Sequence, residues 1–231
     1  VEGINFKAMK GQTIGVIGGT GSGKSSLVNL IPRLYDATQG EVLVDGVNVK
    51  DYDIEALRNK VGIVMQKAVL FKGTIRENMW MGKKGATDEQ IDEALEISQS
   101  KEFVDSKQGR LDYVIEQGGK NLSGGQRQRL TIARAIVRKP DVLILDDSAS
   151  ALDFATDAAL RKAIRGMNNS PTVFIVSQRA ASLMYADLII VLDDGQVAGM
   201  GTHDELLANC EVYKEIYESQ FKKADSEGGV A

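Results

Sequence analysis

Gly18-Gly19-Thr20-Gly21-Ser22-Gly23-Lys24-Ser25-Ser26 is the stretch that decides the fold. Before it stands Thr13-Ile14-Gly15-Val16-Ile17, an apolar run that reads as a buried strand. After it stands Leu27-Val28-Asn29-Leu30-Ile31, the start of a helix. Strand, glycine-rich loop, Lys-Ser and helix is the order in which a phosphate-binding loop is built. The glycines permit positive φ, so successive N–H groups can point into one concave nest. The helix N-terminus adds unpaired donors and partial positive charge. Lys24 can reach the β- and γ-phosphates of a nucleotide, and the Ser25 hydroxyl is placed to hold Mg²⁺.

Working outward, residues 1–17 read as two strands around Met9-Lys10-Gly11-Gln12, the first covering Val1–Phe6. Asp45-Gly46, flanked by Val42-Leu43-Val44 and Val47, is a hairpin signal. A short helix from Ile54 to Asn59 leads to the strand Val61-Gly62-Ile63-Val64-Met65-Gln66. Residues 67–139 turn mostly helical. Thr87-Asp88-Glu89-Gln90 has the pattern of a capping box, and a long helix from about Gly124 is expected to stop at Pro140. Then strands return: Val142-Leu143-Ile144-Leu145-Asp146, Thr172-Val173-Phe174-Ile175-Val176 and Leu188-Ile189-Ile190-Val191-Leu192. Helices are expected at 155–167, near 180–185 and over 203–221. Runs apolar on both faces, separated by helices, indicate a parallel sheet covered on both sides. The fold class is therefore α/β: a P-loop NTPase core with a mostly parallel sheet, an N-terminal antiparallel β part expected to be truncated, and an inserted α-helical subdomain. The expected divisions are 1–66, 67–139, 140–221 and a flexible tail over 222–231.

The 231 residues suffice for a sizeable core, with 43% apolar and 26% charged content. A formal net charge of −4 disfavours a nucleic-acid partner. The single cysteine, Cys210, can form no internal disulfide, which suits a reducing compartment and a packing role. No apolar run is long enough to span a bilayer.

Leu145-Asp146 closes an apolar strand, so Asp146 falls at the carboxyl end of the sheet, where it can hold Mg²⁺ through water. Leu122-Ser123-Gly124-Gly125-Gln126 opens the long helix with an N-cap residue and two glycines that permit close phosphate approach. With this motif in this order and spacing, the chain resembles the ABC ATPase family over essentially its whole length. The resemblance implies that Leu122, Ser123, Gly124, Gly125 and Gln126 form the signature motif, which binds the γ-phosphate of ATP held by another subunit. It thus implies a head-to-tail dimer with two sandwiched ATP molecules. It also implies that Gln66 is the Q-loop glutamine, a Mg²⁺ ligand and sensor, and that Ser150, Ala151, Leu152 and Asp153 form the D-loop facing the partner. Tyr113-Val114-Ile115-Glu116-Gln117-Gly118-Gly119 resembles the X-loop of exporter-type transporters, with Glu116 in a coupling role. Phe71-Lys72-Gly73-Thr74-Ile75-Arg76-Glu77-Asn78 and Gly201-Thr202-His203-Asp204-Glu205-Leu206-Leu207 point the same way. Phe71 and Trp80 suit either core packing or docking at a transmembrane domain. The expected location is the cytoplasmic face of a membrane.

Two positions depart from the family pattern. Asp147 stands where glutamate is usual; a carboxylate set back by roughly 1 Å can lower a rate about 10²-fold. Gln178 stands where a histidine is usual, and glutamine can hydrogen-bond a phosphate but cannot carry a proton. The only histidine, His203, is expected to be structural. Such a pair resembles one half of a heterodimeric exporter, with a slow site built on this chain's loop and an intact signature serving the partner's competent site. Weak or no turnover by the chain alone follows. A non-hydrolysing ATP-binding dimerisation module, or a soluble ABC ATPase, are the alternatives. The adenine-stacking aromatic is expected to be missing ahead of Phe6, which weakens ATP binding by roughly 1–3 kcal/mol.

Overall fold

The computed structural model describes residues 1–148 and 150–227. The chain runs β1 (Thr13–Gly18), α1 (Lys24–Asn29), β2 (Leu43–Val44), β3 (Val47–Asn48), α2 (Ile54–Lys60) and β4 (Val61–Val64). It continues through β5 (Gly73–Thr74), α3 (Ile75–Trp80), α4 (Asp88–Ile97), α5 (Lys101–Asp105), β6 (Val114–Ile115), α6 (Gly124–Ile136) and β7 (Val142–Asp146). It closes with α7 (Phe154–Arg165), β8 (Thr172–Val176), β9 (Leu188–Asp193), β10 (Gln196–Gly201), α8 (His203–Asn209) and α9 (Glu211–Glu227). These elements form two compact units, Val1–Leu57 with Thr172–Ala231, and Arg58–Pro171.

In the first unit β1 is the middle strand. It pairs in parallel with β8, Gly15 opposite Ile175, and with β9, Gly15 opposite Ile189. Every residue of β1 is buried, which is why its sequence shows no polar alternation. β10 returns antiparallel on the outer side of β9. The β2–β3 hairpin forms at Asp45-Gly46, both with positive φ (51° and 78°), the backbone of a type I′ turn. His203 begins α8, with its Nδ1 2.8 Å from the hydroxyl of the fully buried Tyr213 in α9, and so joins the two helices. Burial pushes that phenol up to about 12. Cys210 is buried where α8 ends, its thiol against the Ala198 carbonyl.

The second unit pairs β4 with β7 in parallel, Val61 opposite Val142 through Val64 opposite Leu145. The amphipathic α6 buries Leu130, Ile132, Ala133 and Ile136, packing on β4, α3 and α4. The expected helical insertion, 67–139, lies entirely within this unit, with β4 before it and β7 after it. The capping box at Thr87 forms as its pattern requires, with Gln90 reciprocating.

Four local expectations change. Residues 1–8 keep an alternation, with Ile4, Phe6 and Ala8 turned partly inward and Phe6 edge-on to Phe174, but they form no strand because no ladder partner runs beside them among the described residues. The long helix stops at Ile136, short of Pro140, and Lys139 turns the chain with a φ of 54° ahead of the proline. The segment 180–185 makes only the 3₁₀ turn Ala180–Ser182. The helix expected over 203–221 is two, α8 and α9, the second running on through Glu227; residues 228–231 lie outside the described residues.

Candidate nucleotide site

The phosphate loop of the first unit is built by exclusion. A Cβ on Gly18 would lie 2.1 Å from the Leu192 carbonyl oxygen and 2.6 Å from Ser22 Oγ, so only glycine lets β1 turn there. Gly19 and Gly21 have nothing within 4 Å of a notional Cβ, which leaves the concave side accessible. Gly23 caps α1 with a left-handed backbone (φ 93°) and no side-chain hydrogen bond, and the first turn carries no acidic residue. The donors at the helix start are therefore directed outward with favourable polarity for an anion. Ser22 is buried and locks the loop through its N–H to Gly19 O, at 3.3 Å. Lys24 Nζ donates to Gly18 O (2.9 Å) and Gly19 O (2.6 Å), holding the ammonium over the loop. Thr20, Ser25 and Ser26 are exposed.

Also in the first unit, β8 leads into Ser177 and Gln178. Ser177 is buried; its N–H donates to Val16 O (3.1 Å) and its hydroxyl accepts from Arg179 N–H (2.9 Å). The Gln178 side chain is exposed on this short turn.

In the second unit, Asp146 is buried at the end of β7, and Asp147 follows with a φ of 47°, a left-handed backbone that Asp tolerates better than most residues. Gln66, just past β4, is brought to Asp147: its Nε2 donates to Asp147 Oδ2 at 3.1 Å. Ser150 closes the turn, its hydroxyl donating to Asp147 O at 2.9 Å. Asp153 then caps α7, accepting from Thr156 N–H at 2.9 Å and from its hydroxyl at 2.8 Å; these bonds hold the carboxyl below its ordinary value.

The signature stretch lies in the same unit. Leu122 is buried, and Ser123 and Gln126 form a reciprocal capping box at the start of α6: Gln126 N–H to Ser123 Oγ, 3.2 Å, and Ser123 N–H to Gln126 Oε1, 3.1 Å. A Cβ on Gly125 would sit 3.3 Å from Ala151 O, so the signature and the expected D-loop touch backbone to backbone. Leu152 is buried beneath this contact, while Ala151 and Asp153 are exposed. Glu116 is exposed, with its N–H held by Asn121 Oδ1 at 3.0 Å.

The donor set suits its proposed ligands. Ser25, Gln66 and Asp146 offer only oxygen donors of the kind Mg²⁺ takes, and no cluster of three or more His, Cys, Asp or Glu able to hold a metal occurs among the described residues.

Several supporting residues carry no sequence signal. Asn121 Nδ2 donates to Val114 O (2.9 Å) and Tyr113 OH (3.1 Å), tying the loop before the signature to the signature itself. Arg127 Nη1 closes the same loop onto Gly119 O and Leu122 O. Arg134 on α6 donates to Val69 O at 3.0 Å and lies over the Phe71 ring, linking that helix to the loop after Gln66; burial lowers its guanidinium from the ordinary value. Phe71 and Trp80 are both partly exposed, and Trp80 Nε1 donates to Ala86 O at 3.0 Å.

Comparison with known proteins agrees with this geometry. Residues 1–150 match the model of the ABC transporter family. An uncharacterized ABC transporter ATP-binding protein, YfiB of Bacillus subtilis (strain 168), is 45% identical over 224 residues, 97% of this chain and 39% of that protein. A putative multidrug export ATP-binding/permease protein of Staphylococcus aureus (strain NCTC 8325 / PS 47) is 40% identical over 217 residues, 94% of this chain and 38% of that protein. The chain thus spans about two-fifths of the length of these relatives. Among solved structures, a bacterial Atm1-family ABC exporter with ATP bound superposes with a TM-score of 0.90 at 32% identity, covering 95% of this chain and 39% of that one. The chain belongs to the ABC transporter family, as an ATP-binding domain.

Proposed function

We propose that this domain binds MgATP at a slow site of its own and lends its signature to a faster site on a second ATP-binding domain of an exporter. Gly18 to Ser26 wrap the phosphates with backbone N–H groups, and Lys24 turns from the loop carbonyls to the β- and γ-phosphates. Ser25, Gln66 and Asp146 hold the cation. The chemistry Mg²⁺ would supply there is neutralisation of phosphate charge during phosphoryl transfer. Asp147 takes the position of the group that orients the attacking water, and Gln178 that of the γ-phosphate sensor. Ser123, Gly124, Gly125 and Gln126 meet the γ-phosphate of ATP carried by the partner, with Ser150 to Asp153 beside them at the dimer face. Glu116, Phe71 and Trp80 face transmembrane domains, on the cytoplasmic side of the membrane. Export is inferred from the names of the relatives and of the matching structure.

The observation that carries the slow-site reading is Asp147: a short carboxylate on a left-handed backbone, tied to Gln66 at 3.1 Å. A carboxylate one methylene short orients water poorly. The test is steady-state ATP hydrolysis by the transporter containing this chain, compared with the D147E/Q178H variant. Turnover at this site is expected to rise by up to about 10²-fold. Equal turnover by the two proteins would overturn the reading.

A further inference from the structure

One contact lies outside everything assigned above. Gln220, on α9, reaches the turn that carries Gln178, forty-two positions earlier. Its Nε2 donates to Gln178 O at 2.6 Å, and its Oε1 accepts from Ala180 N–H at 2.9 Å. Both poles of one amide are thus matched to the donor and the acceptor that flank Arg179. Only a carboxamide of this length supplies both bonds. Glutamate would set a second oxygen against the Gln178 carbonyl, asparagine is one methylene short, and methionine makes neither bond.

The placement is robust. Tyr213, fully buried and bonded to His203, anchors the same helix seven residues earlier, and seven residues is two turns, so Tyr213 and Gln220 share a face. α9 also packs on β9 and on the 3₁₀ turn Ala180–Ser182. On its other side the turn is held by Ser177, through Val16 O and Arg179 N–H. The backbone of Gln178 is therefore fixed from the sheet on one side and from α9 on the other, while its side chain stays exposed.

We propose that Gln220 is a positioning residue for the γ-phosphate sensor: its amide fixes the Gln178 backbone and so aims the Gln178 side chain at the nucleotide. This rests on the assignment of Gln178 made above. It also makes α9 a route by which anything that bends or displaces that helix reaches the phosphate site.

The test is equilibrium binding of ATP and of ADP to the transporter containing this chain, as wild type and as Q220M, Q220E, Q178A, K24A and Q178A/Q220M, with melting temperatures alongside. Only ATP has the γ-phosphate that Gln178 reads. Q220M is expected to lower the ATP-to-ADP preference roughly three- to tenfold, the effect of one or two lost hydrogen bonds, with ADP affinity and melting temperature held. Q220E, which keeps the Ala180 bond, is expected to do the same and supplies the answer if Q220M folds poorly. In the Q178A background, Q220M is expected to change nothing further. An unchanged preference in Q220M and Q220E, a parallel loss of ATP binding, ADP binding and melting temperature, or additive effects in the double variant would each overturn the proposal while leaving the site reading intact. If Q178A leaves the preference unchanged, the sensor assignment fails and the proposal falls with it. If K24A leaves ADP binding unchanged, the nucleotide site itself is misassigned.

Discussion

Two helix starts in this protein are given opposite treatment. α1 begins behind Gly23, with no side-chain cap and no acidic residue in its first turn. α6 begins behind Ser123, which exchanges hydrogen bonds with Gln126 in a capping box. α3, α4 and α8 use the same reciprocal box, with Thr74 and Glu77, Thr87 and Gln90, and Thr202 and Glu205. The comparison teaches how a helix N-terminus is reserved for a ligand. At α1 the Gly23 cap contributes no side-chain hydrogen bond and the first turn carries no acid, which leaves the polarity of the helix start favourable for a phosphate. At α6 the N–H groups of Ser123 and Gln126 are given to the capping box, in which both side chains accept, so the donors left to meet a phosphate are the Ser123 O–H and the Gln126 Nε2–H.

The largest expected effect comes from closing the open start. G18A places a Cβ 2.1 Å from a backbone oxygen that cannot move without shifting β9. We expect a loss of about 3 kcal/mol in stability by denaturant unfolding, with ATP binding abolished. Next is K24A. Removing the ammonium is expected to weaken ATP binding by about 2 kcal/mol, roughly thirtyfold, by titration calorimetry. The bonds from Nζ to Gly18 O, Gly19 O and Ser22 Oγ are exposed or part-buried, so the melting temperature should barely move.

The difference between the two starts was partly legible in the sequence. The glycine spacing before Lys24 has one reading in its strand-to-helix context. The Asp45-Gly46 hairpin and the Thr87 box are likewise local, decided within four residues, and all formed. The signature helix start looks, residue by residue, like the structural caps at Thr87 and Thr202; only its place in the order of motifs set it apart. What escaped the sequence was long-range. Gln220 reaching Gln178 and Arg134 reaching Val69 pair residues with no periodic or local relation. The strand expected at 1–6 shows the converse: alternation marks which face turns inward, but a strand also needs a neighbour's ladder.

Smaller effects sharpen the contrast from the α6 side. S123A removes a cap and is expected to lower stability by about 1 kcal/mol in chemical denaturation, while leaving ATP binding by this chain's own loop unchanged. The smallest concerns Asp153, the cap of α7. Its carboxyl is held below the ordinary carboxylate value by Thr156, so the folded state binds that proton less readily than the unfolded one. The resulting stability is present at neutral pH. It is lost as pH falls through the ordinary carboxylate range toward the folded value. D153N is expected to flatten the acid limb of a stability–pH profile slightly, by lowering stability a little at neutral pH and leaving it unchanged at low pH.

The central claim is that the open start binds this chain's ATP while the capped start drives turnover on another chain. G124D tests the capped start cleanly. A Cβ there meets only Arg127 Nη2, at 3.9 Å, and an aspartate in the first turn favours the helix while repelling a phosphate. The decisive measurement is steady-state ATP hydrolysis by the assembled transporter carrying either G124D or K24A in this chain. The account predicts that G124D removes most of the turnover and that K24A leaves most of it. Turnover abolished by K24A and retained in G124D would contradict it.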